Sequence, residues 1–205
     1  MWALIEDGSI TKLINNPKAM VIDNIQYSRN IFSFRWTNAE REAIGLYEVV
    51  FNNTKKKDEE WYTNTDQTFT YDADAGTVTA TYGDATAKAH ADTLYTADDE
   101  DNGLGTEGEV KVECLKTKLI KKIKRQAASE LARTDWYIIR KADADTAVPS
   151  AITNHRAAVR TKCAAMETSI TNASNTAAIQ TLYTYTTDDD GVSSRPLGVL
   201  PILEV

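Results

Sequence analysis

Cysteine, histidine and proline are scarce in this sequence, whose 205 residues contain only two, two and four of them. Neither His90 nor His155 has a second metal ligand three or four residues away, so no zinc-binding spacing is present. Cys114 and Cys163 could form one disulfide. Both lie at apolar-compatible positions of helix-like segments, which favours two buried thiols in a reducing compartment. We therefore expect no metal and no cofactor.

Long apolar runs are missing too. No run reaches the roughly 18 residues that a membrane helix needs. Residues 1–7 lack the basic and apolar regions of a secretory signal peptide. We expect a chain that is made in an aqueous cytoplasm and has no membrane partner.

Motifs of catalytic and nucleotide-binding sites are also lacking. Gly103, Gly105 and Gly108 precede a helical segment, but the first of them follows no strand. Glu107 and Glu109 would repel a phosphate at that helix N-terminus. No Gly-x-Ser-x-Gly turn occurs, and the acidic runs are typical of solvated surfaces. The sequence predicts that the protein is not an enzyme.

The charge is mainly acidic, with 30 acidic and 23 basic residues and a net charge of −7. Such a chain repels phosphate and is a poor nucleic-acid binder. One basic run could contact nucleic acid or an acidic partner: Lys116, Lys118, Lys121, Lys122, Lys124 and Arg125. No aromatic residue interleaves it, and lysine stems often cover apolar neighbours on a solvated helix face. We predict no sequence-specific nucleic-acid binding.

Threonine and alanine, at 26 residues each, favour strands and helices respectively, and the patterns predict an α+β chain. Residues 1–83 indicate an N-terminal antiparallel β-rich domain. It opens with a hairpin turning at Asp7-Gly8. A capping box from Thr37 to Glu40 then begins a short helix that Gly45 ends. Further strands are predicted over 46–51, 61–71 and 77–82.

Residues 84–109 predict a linker or acidic loop, with a weak helix over 85–97. Residues 110–185 predict a helical module and residues 186–205 an extended tail. The first long helix is expected over 112–131. The second begins after Pro149, and its apolar positions recur at alternating intervals of four and three residues: Ile152, Arg156, Val159, Cys163, Met166 and Ile170.

The segment between these helices predicts a corner of a helical hairpin. We expect Asp135 to cap the next helix and Trp136 to fill the corner as a core anchor. Arg156 and Arg160 share a helix face at i, i+4, so one of them could pair with Asp135.

The ordered set Thr-Asp-Trp-x-x-x-Arg, Val-Pro and Arg-x-x-x-Arg resembles the C-terminal module of phage tail-fibre assembly proteins, the tail-fibre chaperones. The matching positions are Thr134, Asp135, Trp136, Arg140, Pro149, Arg156 and Arg160. The resemblance covers roughly residues 119–183. The family usually has Tyr at position 155 and a Glu-Gly-like turn at 143–145. The N-terminal half, around residues 36–47, is more loosely similar to the leading domain of marine phage tail proteins.

The resemblance implies a protein that binds a tail fibre in the host cytoplasm and assists its folding or attachment. Some members of that family remain on the virion tail. The alternative is a permanent virion component, such as a tail, baseplate or fibre adaptor. The expected partner is a fibre, another tail protein or a second copy of the chain. The apolar stripe of the second long helix, called the seam from here on, and the apolar tail segment over residues 196–203 have more apolar surface than a small module easily hides. The candidate interaction residues are therefore Trp136, Asp135, Arg156, Arg160, Val159, Met166, Ile170, Leu197, Leu200 and Ile202.

Overall fold

The computed structural model describes residues 1–203 and confirms the α+β prediction, with a strand-rich sheet followed by helices. The chain forms two compact units. Unit 1 is Met1–Thr86, and unit 2 begins at Ala87.

Unit 1 contains a 3-10 helix at Arg29–Phe32, a short helix α1 at Asn38–Glu42 and nine strands. The strands are β1 (Trp2–Glu6), β2 (Ser9–Ile14), β3 (Met20–Ile22), β4 (Ile25–Tyr27), β5 (Leu46–Asn52), β6 (Tyr62–Thr63), β7 (Gln67–Asp72), β8 (Thr77–Tyr82) and β9 (Thr86–Ala87), whose second residue is the first of unit 2. The predicted strand over 61–71 is interrupted, and only its ends pair, as β6 and β7.

The central sheet has the order β2-β1-β5-β8-β7. Its pairings are antiparallel except for β5 with β8, which is parallel. The predicted antiparallel arrangement therefore holds for the other pairs of this sheet but not for β5 with β8. The physical reason is that the β7–β8 hairpin docks through its second strand, which runs in the same direction as β5.

Strand β1 is buried on both sides of this sheet. Successive side chains of a strand point to opposite faces, and Ala3 and Leu4 lie in different cores. The Leu4 face packs with Ile14, Ile22, Ile31 and Leu46. The Ala3 face packs with Val49, Val78 and Ala80. This double burial explains why the first strand has a continuous apolar run.

Helix α1 begins with the predicted capping box. The Thr37 hydroxyl accepts from the Glu40 amide at 3.2 Å, and the Glu40 carboxylate accepts from the Thr37 amide at 2.7 Å. The hydrogen bonds that the Glu40 carboxylate accepts from the Thr37 amide and the Thr37 hydroxyl hold the pKa of Glu40 below its usual value. After the helix, Gly45 has a φ of +74°, and a Cβ there would lie 2.4 Å from the Ile5 carbonyl oxygen. Only glycine fits this turn.

The segment expected to be a linker has structure of its own. Residues 85–97 do not form the expected helix. Strand β10 (Thr93–Leu94) pairs with β11 (Val110–Val112), and a short helix α2 covers Ala97–Asp101. The Asp92 carboxylate accepts from the Cys114 amide at 2.6 Å and from the Thr117 hydroxyl at 2.9 Å. Asp92 thus helps to cap the first long helix, and these bonds lower its pKa.

The described part of unit 2, up to residue 203, contains four further helices: α3 (Leu115–Ala132), α4 (Asp135–Ala144), α5 (Ser150–Asn172) and α6 (Thr176–Tyr183). Residues 110–112 form β11 instead of the expected helix start, and Cys114 is the N-cap of α3. A last hairpin joins β12 (Thr186–Thr187) to β13 (Ser193–Ser194).

Helices α3 and α5 run antiparallel. Lys116 at the start of α3 donates to the Thr171 carbonyl near the end of α5, at 2.8 Å. Arg156 near the start of α5 donates to the Leu131 carbonyl at the end of α3, at 2.7 Å. The two long helices therefore form the predicted hairpin, with α4 as its connection.

Candidate protein-binding site

The apolar seam of α5 is covered by the chain itself. Val159, Met166 and Ile170 are 2% exposed or less. The facing residues of α3 are also buried: Leu115, Leu119, Ile123 and Ala127. The expectation that this seam is left over for another chain is wrong, because the α3–α5 pairing already buries it.

Arg156 forms the junction between α3, α4 and α5. Its side chain is 9% exposed. One terminal nitrogen, Nη1, donates to the Leu131 carbonyl at 2.7 Å, the Thr134 hydroxyl at 2.7 Å and the Asp135 carboxylate at 2.8 Å. Thr134 is itself buried and donates to the same Leu131 carbonyl at 3.0 Å. The guanidinium thus satisfies acceptors where α3 ends and α4 begins.

The expected cap role of Asp135 is wrong. Thr134 is the N-cap of α4 and makes no side-chain cap bond, while Asp135 is the first helical residue. Its carboxylate instead forms an ion pair with Arg156, as the sequence allowed for one of the two arginines. A carboxylate in a first helical turn is also favoured by the helix dipole. Arg160 lies one turn further along α5 and is exposed.

Trp136 is not the core anchor that the sequence suggested. It is 50% exposed, and α4 has no buried residue. The Arg140 guanidinium stacks over the Trp136 ring, with its central carbon 4.6 Å from the ring centre. Ile139 is 66% exposed and Ile138 is 44% exposed. The corner is instead filled by the polar junction of Thr134 and Arg156.

Ile138 and Ile139 were missed by the sequence reasoning. A usable signal exists, since residues 136–139 read Trp-Tyr-Ile-Ile. Four successive large apolar residues cover all sides of a helix. A helix at the edge of a small unit cannot bury every one of them, so exposed apolar surface follows.

The basic run of α3 is partly paired with the chain's own groups. Lys124 forms an ion pair with Glu167 at 3.1 Å, and Lys121 pairs with Glu113. Lys116 is bound to the α5 carbonyl described above. These contacts are those of a solvated helix face, while the absence of nucleic-acid binding stays a prediction.

The tail docks on unit 2 through one residue and leaves others exposed. Leu197 is 2% exposed, and its amide donates to the Leu182 carbonyl at 2.9 Å. Leu200 is half-buried, while Val199 and Ile202 are exposed. These three line a groove of about 310 Å³ together with Gln126, Ser129, Glu130, Met166 and Arg195. The tail therefore packs against its own chain through Leu197, while the apolar side chains of Val199 and Ile202 remain exposed.

Both cysteines are buried and free, as predicted. Burial raises the pKa of the Cys163 thiol, and its hydrogen bond to Glu167 acts in the same direction. His90 lies 2.9 Å from the Thr176 hydroxyl, and burial lowers its pKa. Across residues 1–203, no three His, Cys, Asp or Glu side chains are grouped so that they could hold a metal ion.

The described residues of unit 1 also contain a cavity of about 340 Å³, which the sequence did not indicate. Arg41 lies at its edge with its donors engaged, to the Ile31 carbonyl at 2.8 Å and the Asn38 side chain at 2.9 Å. Tyr47 also lines it. The Tyr47 and Tyr71 hydroxyls lie 3.1 Å apart, and the hydrogen bond between the neutral phenols, together with burial, raises the pKa of Tyr47 to about 12. This hydroxyl stays protonated at neutral pH.

Comparison with known proteins finds no match among family models, curated proteins or solved structures. No helix in the described part of the chain is both long enough and apolar enough to span a bilayer.

Proposed function

We propose that this chain is a phage tail-fibre assembly protein, which binds a fibre chain in the host cytoplasm and assists its folding or attachment. The observation that carries the proposal is the groove beside the tail, where Val199, Leu200 and Ile202 present apolar side chains along α3. A groove that combines exposed apolar side chains with polar ones suits an extended or helical segment of another protein. The assignment of a fibre as the partner rests on the sequence resemblance.

The arrangement of the resembling residues supports this proposal. Thr134, Asp135 and Arg156 belong to one hydrogen-bonded junction. Arg140 stacks on Trp136 in the adjoining helix. A motif whose members meet in space has a shared structural role, which a chance similarity would not require.

The test is co-expression with a tail-fibre chain of the same phage, followed by affinity capture and sizing of the complex. Point variants suit this better than deletion of the tail, because deletion would also remove the buried Leu197. The variant Val199→Asp/Ile202→Asp places two charges on the groove without touching the core. The matched control is Val192→Asp, which is similarly exposed but does not line the groove.

We expect the double variant to lose fibre capture and the control to retain it. Capture that survives in the double variant, or a fibre that never binds the parent protein, would contradict the proposal. A permanent virion component gives a different pattern: the protein is stoichiometric in purified particles, and the fibre folds without it.

A further inference from the structure

Helix α4 carries a stripe of four residues in which two apolar side chains are followed by a basic one and an acidic one. Trp136, Ile139, Arg140 and Asp143 are spaced i, i+3, i+4 and i+7, which places them on one helix face. Trp136 and Ile139 are at least half exposed. Neither side chain is buried by contacts with residues 1–203.

The two charged residues of this stripe form no salt bridge with the described residues. Arg140 lies over the Trp136 ring, and its Nε is buried without a hydrogen-bond partner among the described residues. Within the same part of the chain, neither Arg140 nor Asp143 takes part in an ion pair. The neighbouring charges are already matched, since Lys141 pairs with Asp145 and Arg133 with Glu130.

The stripe can pair with the same stripe of a second copy when the two α4 helices run antiparallel. In an antiparallel pair of α4 helices with the two-fold axis between positions 139 and 140, position 136 lies level with position 143 of the other copy. The Arg140 guanidinium is held at the level of Trp136 by their stacking, so it faces the carboxylate of Asp143 in that copy. Ile139 of each copy lies at the centre. An isologous interface requires this self-complementarity, and a partner of unrelated sequence would not.

We propose that α4 is the contact surface of a two-fold homodimer, centred on Ile139 and flanked by two Arg140–Asp143 pairs between copies. The helix is ten residues long, or about 15 Å. Such a contact is at the small end of stable interfaces, so the dimer dissociates on dilution. The pairing goes beyond the proposed function and does not depend on it, because the stripe shares no residue with the tail groove.

The experiment is sedimentation equilibrium of the full chain at low and high concentration. We expect the mass to rise from the 22.7 kDa of the monomer towards twice that value. The variant Ile139→Lys should stay monomeric throughout. The matched control Leu104→Lys changes a residue of similar exposure outside the stripe and should dimerise like the parent. Since both positions are exposed, circular dichroism should be unchanged in both.

A charge exchange tests the orientation. Arg140→Asp and Asp143→Arg should each abolish the dimer, because each places like charges opposite one another in both halves of the interface. The double variant Arg140→Asp/Asp143→Arg restores opposite charges in both halves and should restore the dimer. A parent that is monomeric at every concentration, a dimer that survives Ile139→Lys, or a double variant that stays monomeric would each overturn the proposal.

Discussion

Removal of the Arg156 side chain tests the polar junction most directly. The substitution Arg156→Ala takes away the donor that satisfies the Leu131 carbonyl, the Thr134 hydroxyl and the Asp135 carboxylate. Thr134 is 1% exposed, so water cannot easily replace the lost donor. The helix packing would remain, but the acceptors at the α3–α4 boundary would be left without this partner.

The size of the expected loss in the free energy of unfolding follows from the number of hydrogens that Arg156 Nη1 can donate. The nitrogen Nη1 carries two hydrogens, so its three acceptors share what amounts to two charge-assisted bonds, each contributing about 1.5–3 kcal/mol. The Asp135 carboxylate is 53% exposed and can be hydrated after the change, which reduces the loss. We expect Arg156→Ala to lower the free energy of unfolding by about 3 kcal/mol, the lower end for breaking a buried ionic group.

The assay is urea unfolding followed by circular dichroism at 222 nm, which reports mainly on the helices of unit 2. Arg160→Ala is the matched control, because it removes an exposed arginine one turn along the same helix. It should change the free energy of unfolding by less than about 0.5 kcal/mol. Asp135→Ala should cost about 1 kcal/mol or less, since the Asp135 carboxylate is half exposed and Arg156 keeps its other two acceptors. If Arg156→Ala is no more destabilising than Arg160→Ala, the junction does not stabilise unit 2 and the reasoning is refuted.

Three further measurements test burial and ionisation. Trp136→Ala should lower the free energy of unfolding by less than about 1 kcal/mol, in contrast to the 3–5 kcal/mol of a buried tryptophan; a larger loss would show that the ring is packed in solution. Leu197→Ala should cost about 2–4 kcal/mol, because the side chain is 2% exposed; an unchanged unfolding curve would mean that the tail does not dock. Tyr47 should ionise near pH 12 in a spectrophotometric titration. Since its folded pKa lies above the unfolded value of about 10, its contribution to stability is complete below pH 10 and is lost as the pH rises towards 12; Tyr47→Phe should remove this part of the alkaline loss.

Local signals in the sequence were sufficient for several elements. The hairpin at Asp7-Gly8, the capping box from Thr37 to Glu40 and the start of α5 after Pro149 depend on neighbouring residues alone. The apolar spacing also defined one apolar face on each of α3 and α5, and the two free buried thiols followed from the same spacing. In each case the interaction is between residues close in the chain, or the periodicity is long enough to define a face.

Elements that depend on distant partners were harder to predict. Whether β5 pairs with β7 or β8, and in which direction, is decided by how the hairpin docks. The N-terminal cap of α3 is completed by Asp92, which lies 22 residues before Cys114. The segment expected to be a linker gave no local indication of this contact.

Local propensity and periodicity were enough to predict the α+β class, the order of sheet and helices, and the apolar face of each long helix. Which apolar surface stays exposed depends instead on how the helices pack against one another. Trp136 was expected inside and the α5 seam outside, and the reverse is found. The reason is that α3 pairs with the seam of α5, and Arg156 occupies the corner through three contacts that join residues more than 20 positions apart. Burial is a property of the assembled unit, and spacing along one helix cannot reveal which face its neighbours will cover.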